Sequence, residues 1–161
     1  MRWRADTEAM NLRPELLPPA VDHQRLAELG EEIERIAHLV HQGRRSEADE
    51  AVAAFNARTG HTYAVSDFVE YGASRDLEEF AREAARPARP RVGDITRSEL
   101  VEIVRRIMAG DPETDYYLRL LEVNVAHPRV SDLIFHPPAE LQDAPAETIV
   151  EAALSYRPIA L

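Results

Sequence analysis

Residues 127–138 read HPRVSDLIFHPP, and this stretch decides how the second half of the chain folds. Pro128 disfavours helical backbone at the residue before it and so ends any preceding helix. Pro137 lacks the backbone N–H and stops whatever helix follows. A single helical turn fits between the two prolines, with Ser131 or Asp132 as its cap. The stretch is therefore predicted to form a rigid corner containing one turn of helix.

The side chains of this turn divide between two faces. Leu133 and Ile134 are expected to face inward and anchor the turn in a core. The outward side chains are then Asp132, Phe135 and His136. An exposed aromatic ring beside an acid, held on a short rigid turn, offers large contact area at low ordering cost, which is typical of a protein-binding site.

Histidines suggest an alternative use for two places in the chain. His127, Asp132 and His136 are metal-ligand types within ten residues, and His38 and His41 are three residues apart on a predicted helix. His38 and His41 lack a matched third ligand, whereas His127, Asp132 and His136 are separated by a turn and could converge on one ion. We favour a corner and a solvated helix face, and expect no metal or other cofactor.

Helix signals continue on both sides of the corner. Thr96 and Glu99 form a capping box that opens one helix. Asp111 followed by Pro112 opens the next helix, which is predicted to run to about Ala126 and to bury Tyr117 and Leu121. A last helix is predicted after 143–145, closed by Pro158. Its expected inward residues are Ile149, Val150, Ala153 and Leu154.

The first half is also predicted to be helical, from residue 22 to residue 86. Its first helix carries an apolar stripe of Leu26, Leu29, Ile33, Ile36 and Val40. A second helix is expected from a capping box at Ser46, ending at Gly60; a third follows Ser66, and a fourth follows Ser74. No segment alternates like a strand, so the chain is predicted to be all-α.

Proline and arginine mark the boundaries of these regions. Residues 1–21 are Pro-rich and aperiodic, and are expected to form a tail or an extended strap. Residues 85–94, ARPARPRVGD, cannot continue a helix and offer little to bury. We therefore expect an N-terminal tail (1–21), a helical domain (22–86), an Arg/Pro linker (87–94) and a C-terminal helical domain (95–161).

Composition narrows the function classes. The chain has 161 residues, no cysteine and a net charge of −10. A negative field repels nucleic acid and favours basic partners. No apolar run is long enough to cross a membrane, and the first residues lack a signal-peptide core, so a cytoplasmic location is expected.

A catalytic alternative rests on the turn 59–63, which gathers Thr59, His61 and Tyr63. The simpler interpretation is a glycine helix end with Tyr63 packing on the bundle. None of the nucleotide-binding, metalloprotease or serine-hydrolase motifs occurs. We expect no enzymatic activity.

Together, these motifs resemble those of the colicin/pyocin DNase immunity proteins. Residues 127–137 are similar to that family's HP-x-x-SDLI-aromatic-aromatic-P signature. The resemblance extends to the helix after Thr96, to 143–150, which looks like the start of the family's fourth helix, and to Tyr156-Arg157 where the family has Trp-Arg. It covers about residues 92–158. It implies a small antiparallel four-helix fold with a one-turn third helix.

The resemblance also implies a partner and a site. Immunity proteins of this family are non-catalytic inhibitors that bind a bacteriocin-type nuclease made by the same cell, through a shared anchor on the third helix and a specificity surface on the second. The implied anchor residues are Ser131, Asp132, Phe135 and His136. The implied specificity residues are Thr114, Asp115, Leu118, Arg119 and Glu122.

This chain departs from the family where two adjacent tyrosines are usual, because it has Phe135 and His136. Phenylalanine keeps the apolar area of tyrosine but cannot donate a hydrogen bond. The departure predicts a different cognate toxin, or an adaptor that reuses the fold for another partner. The helical domain 22–86 could extend the inhibitory surface, mediate self-association through the Leu26–Val40 stripe, or stabilise the rest, and we expect residues 92–161 alone to bind the toxin.

Overall fold

A computed structural model describes residues 11–74 and 76–156. These residues form eight α-helices and no strand, which confirms the predicted all-α class. The first four helices are α1 (His23–His41), α2 (Arg45–Thr59), α3 (Val65–Ser74) and α4 (Leu77–Ala85); the last four are α5 (Arg97–Met108), α6 (Thr114–Asn124), α7 (Val130–Phe135) and α8 (Ala146–Leu154). No helix in these ranges is both long and apolar enough to cross a lipid bilayer.

The described residues divide into two compact units. One, here called the inserted bundle, is Pro19–Ala88. The other, here called the split unit, combines residues 11–18 with 89–156. The chain therefore begins the split unit, leaves it to form a four-helix bundle, and returns to complete it.

The inserted bundle closes around the apolar stripe of α1. Leu29, Ile33 and Ile36 are fully buried, and Leu26 and Val40 pack at the edge of the same core. Helices α3 and α4 contribute Phe68 and Phe80, and α2 contributes Phe55. Contacts within the bundle therefore occupy the centre of the stripe, whereas Leu26 and Val40 stay partly exposed, and self-association through the stripe remains a prediction.

Three helix starts in the bundle differ from the predicted ones, and the smallest difference is in α3, which begins at Val65, one residue before Ser66. Helix α2 begins at Arg45, and its cap Arg44 pairs with Glu47 at 2.6 Å, so Ser46 lies inside the first turn. Only residues 42–44 connect α1 to α2, and this short connection places the start of α2 at Arg45, before the predicted cap Ser46. Helix α4 is capped by Asp76, whose carboxylate accepts from the Glu79 N–H at 2.8 Å, and Ser74 is the last residue of α3.

The split unit has its own core, built by α5, α6, α7 and α8. Ile103, Leu120 and Leu121 are completely or almost completely buried in it. The Thr96–Glu99 capping box is confirmed, with the Glu99 N–H donating to Thr96 Oγ1 at 3.1 Å. At the other end, Leu154 is 40% exposed and not inward as predicted, because α8 ends there. Pro158, predicted to close α8, lies outside the described residues.

Residues 11–18 complete this core as a strap. Leu12 and Leu16 are buried among the side chains of the split unit. Between them, Arg13 donates to Asp94 Oδ1 at 2.9 Å and lies 3.0 Å from Glu99 Oε2. Hydrogen bonds that Arg13 donates to Asp94, with the nearby carboxylate of Glu99, raise the pKa of Arg13 above its ordinary value. The strap therefore contributes both apolar and ionic contacts.

The Arg/Pro segment 85–94 is more ordered than its composition suggests. Arg86 is buried, and its Nε donates to the Pro19 carbonyl at 2.9 Å. Pro90 is buried as well, and its carbonyl accepts from Asn124 Nδ2 at 2.8 Å. Asn124 Oδ1 in turn accepts from the Val92 N–H at 2.9 Å. One amide at the end of α6 thus fastens the return of the chain into the split unit.

Candidate partner-binding site

Helix α7 is a six-residue helix, Val130–Phe135, as the proline spacing predicts. Val130 and Leu133 are buried, and Ile134 packs at the edge of the core. Phe135 is 49% exposed. The predicted division between an inward anchor and an outward aromatic ring is confirmed.

The start of α7 differs from the prediction. Arg129 occupies the cap position without a side-chain cap, so Ser131 and Asp132 lie inside the helix. Arg129 Nε and Nη2 approach Asp132 Oδ2 at 2.9 and 2.8 Å. The guanidinium therefore holds the carboxylate that was expected to cap the turn. Ser131 is half-buried and His136 is exposed next to Phe135.

A shallow depression of about 360 Å³ lies against this turn. Its lining residues are His127, Arg129, Asp132, Leu133, His136 and Pro138. His127 is fixed there, because its Nδ1 accepts from the Arg129 N–H at 3.0 Å and its ring lies 5.0 Å from that of Tyr156. Among the residues described, no group of three or more His, Cys, Asp or Glu side chains is arranged to hold a metal ion.

Helix α6 packs against α7 and carries the five specificity residues taken from the resemblance. It begins at Thr114, two residues later than the predicted start at Pro112, because Asp111 forms a turn instead, accepting from the Glu113 N–H at 2.7 Å. Asp115 and Glu122 are exposed, and Thr114, Leu118 and Arg119 are half-buried. Leu118 also packs at the edge of the core, so part of its side chain is already occupied.

An ion network that was not evident from the sequence fixes the rotation of α6. Tyr117 Oη accepts from Arg106 Nη1 at 2.9 Å, and Arg106 Nε donates to Glu102 at 2.8 Å. Glu102 is only 4% exposed, although it is charged. Burial acts to lower the pKa of Arg106, and the bonds to Glu102 and Tyr117 outweigh it, so the net pKa is raised. Because Arg106 binds Tyr117 on the core side of α6, Leu118 and Glu122 lie toward its solvent side.

The turn at 59–63, which the sequence offered as a catalytic alternative, packs within the inserted bundle. Gly60 adopts φ +79° and ends α2. Tyr63 donates to Glu83 at 2.6 Å, and His61 Nε2 lies 2.8 Å from the Arg86 carbonyl. The two rings stack at 5.0 Å. Their polar atoms are engaged in contacts that hold the bundle together.

Comparison with known proteins identifies the segment that carries α5 to α8. Residues 92–158 match the family described as colicin immunity protein / pyocin immunity protein. The chain is also 39% identical over 66 residues to the uncharacterized protein YezA of Bacillus subtilis (strain 168), an alignment that covers 39% of this chain and 93% of that protein. No solved structure matches the chain significantly. Through residues 92–158, this chain belongs to the colicin/pyocin immunity protein family.

Proposed function

We propose that this chain is a bacteriocin immunity protein that binds a nuclease toxin and silences it. The observation that carries the proposal is the half-exposed ring of Phe135, presented on a turn whose inner side is anchored by Val130 and Leu133. Aromatic side chains are enriched at the centre of protein interfaces, where hot spots cluster. The ring of Phe135 loses little conformational freedom on binding because the turn is already fixed.

The charge beside the turn supports a basic partner. Residues 111–124 contain four acidic residues and one basic residue. Asp115 and Glu122 are seven residues apart, so they lie on one face of α6, and both are exposed. Nuclease domains are basic because they bind phosphate backbones, and opposite charges accelerate their encounter with an acidic partner.

Inhibition in this proposal requires neither catalysis nor a cofactor. The chain binds beside the nuclease cleft and excludes nucleic acid by bulk and negative charge. Helix α7 contributes the anchor, formed by Ser131, Asp132, Phe135 and His136. Helix α6 contributes the discriminating contacts, formed by Thr114, Asp115, Leu118, Arg119 and Glu122.

The test uses the full chain and the nuclease domain of a bacteriocin encoded beside it. Calorimetry should show a one-to-one complex, and cleavage of both DNA and RNA substrates should be followed with and without the chain. The expected result is tight binding with loss of cleavage. A folded chain that binds no such nuclease, or binds it without affecting cleavage, would contradict the proposal.

A second function is favoured by one observation, the inserted bundle. Pro19–Ala88 lies outside the segment that matches the immunity family. An adaptor would use this bundle for one partner and the immunity-type surface for another. An adaptor would bind both partners at once. Removing the charges of Asp115 and Glu122 on α6 would release only the partner at the immunity-type surface, and the chain would leave nuclease cleavage unchanged.

A further inference from the structure

A second depression, of about 620 Å³, lies between α1 and α3 of the inserted bundle, outside the segment that matches the immunity family. It is called here the bundle groove. Its walls include Glu34, Ala37, His38 and His41 of α1, with Val69 and Tyr71 of α3. Val69 is 58% exposed, more than any other large apolar side chain of the described residues. The groove therefore leaves apolar area in water beside a set of polar groups.

The polar side chains of the groove form one row on α1. Glu34, His38 and His41 are separated by four and three residues, so they follow one face of the helix. All three are exposed, and none has a side-chain hydrogen bond or ion pair to any residue that the structure describes. Ala37 lies in the same row, and its small side chain lets another helix approach closely. The row thus carries a carboxylate acceptor, a small side chain and two imidazoles, all without partners among the described residues.

This row is complementary to a second copy of itself that runs in the opposite direction. Around a two-fold axis between Ala37 and His38, Glu34 of one chain lies opposite His41 of the second copy. The same axis places His38 opposite Ala37, so that a large side chain meets a small one. A carboxylate accepts a hydrogen bond from an imidazole N–H. A basic partner would match Glu34 but not the two imidazoles, whereas a second copy satisfies every position of the row.

We propose that the bundle groove is a self-association surface, through which two copies of this chain pair with their α1 helices antiparallel. Val69 and Tyr71 of each copy flank the paired helices and supply apolar area, and the two Glu34–His41 pairs set direction and register. Self-association is thereby placed on the outward face of α1, beside the apolar stripe whose centre is buried. The proposal involves no toxin and holds whether or not the proposed function is correct.

The first test follows the full chain by sedimentation equilibrium as its concentration rises, with EDTA present. The expected result is a reversible monomer–dimer equilibrium. A chain that stays monomeric up to about 1 mM would overturn the proposal. Association that continues beyond the dimer would also overturn it, because a two-fold contact closes at two copies. So would a dimer that forms only when Zn²⁺ replaces EDTA, since the histidines would then bind a metal and not Glu34.

The second test places a charge in the apolar part of the groove. Val69→Asp should raise the dissociation constant of the dimer about tenfold or more, because charged residues are disfavoured in the core of an interface. The control Met108→Asp adds the same charge at an apolar side chain that is 48% exposed in the split unit, and should change the constant less than about twofold. Circular dichroism verifies that both variants are folded. Equal effects would overturn the proposal, because they would reflect net charge alone.

The third test exchanges the charges of the row. Glu34→Arg removes the acceptor and His41→Glu faces two carboxylates, so each should weaken the dimer about fivefold or more. The double variant should recover most of the affinity, since the new arginine then lies opposite the new glutamate of the second copy. Within one chain these positions are two helical turns apart, about 10 Å, so the recovery must come from contacts between copies.

The matched control for this exchange is Glu50→Arg, which makes the same change of charge at an exposed residue of α2 outside the groove. It should change the dissociation constant less than about twofold. A folded double variant that does not recover association would overturn the antiparallel pairing and with it the proposal. Loss of self-association in all of these tests would leave the proposed function untouched, because toxin binding is measured separately.

Discussion

The strap of residues 11–18 makes a quantitative prediction about stability. Leu16 has no exposed surface and lies in the core of the split unit, whereas its neighbour Leu17 is 39% exposed. Truncating a fully buried leucine to alanine costs about 2–5 kcal/mol, from lost burial and the cavity left behind. Leu16→Ala should therefore destabilise the split unit by about that amount, and Leu17→Ala by less than about 1 kcal/mol.

Native-state hydrogen exchange is the suitable assay, because it reports the free energy of opening separately for each helix. Leu16→Ala should lower the protection of α5 and α6 and leave α1 unchanged. Equal effects of Leu16→Ala and Leu17→Ala would refute the reasoning. So would a loss confined to the inserted bundle, since the buried contacts of Leu16 belong to the split unit.

The same reasoning changes the expectation for a fragment of residues 92–161. Such a fragment contains the matched segment but lacks Leu12, Leu16 and the Arg13 ion pairs. It should open more readily than the full chain, and a peptide of residues 11–18 added in trans should restore part of its protection. No gain on adding the peptide would show that the strap is dispensable.

Three further predictions concern the site and the strap. Phe135→Ala should weaken toxin binding by about 2 kcal/mol or more in calorimetry. The control Met108→Ala removes an apolar side chain of similar exposure (48% against 49%) and should not weaken binding. Equal losses from the two substitutions would contradict the anchor assignment. Glu122→Gln should slow association in stopped-flow experiments because a steering charge is lost, and should also speed dissociation because Glu122 is a proposed contact; an unchanged association rate would contradict charge steering. The hydrogen bond from Arg13 holds the pKa of Asp94 below its ordinary value of 3.8, so this carboxylate stabilises the fold at higher pH and loses its effect as the pH falls through the folded-state pKa. The difference in unfolding free energy between wild type and Asp94→Asn should thus be constant above about pH 5 and vanish in stronger acid. A difference that persists in strong acid would show that the ionised Asp94 is not its source.

Local signals in the sequence predicted the parts of the site that depend on neighbours in the chain. The prolines at 128 and 137 bound α7, and the capping box at Thr96 opens α5. The Ser46 prediction failed because a three-residue connection, not a cap, decides where α2 starts. Capping preferences are worth about 1 kcal/mol, so tertiary constraints readily override them.

Contacts between distant residues could not be predicted in this way. Arg13 binds Asp94 and Glu99 across 81 and 86 residues, and residues 11–18 are too short to show a period. The burial of Glu102 was hidden for another reason, because a charged residue on a helix is usually solvated and only the fold covers this one. Its pairing with Arg106 at i, i+4, like the pairing of Arg129 with Asp132 at i, i+3, has the spacing of helix neighbours and was visible in principle.

The strap also sets an order of events during synthesis. Leu16 leaves the ribosome before any helix of the inserted bundle. The nearby Arg13 cannot form its ion pair with Asp94 until Asp94 has been translated, 81 residues later. At about 5–20 residues per second, that delay is roughly 4–16 s, long enough for the inserted bundle to fold first. Until then two leucines of the strap remain in water and open to chaperones. The strap is therefore translated before the inserted bundle but reaches its native contacts after it.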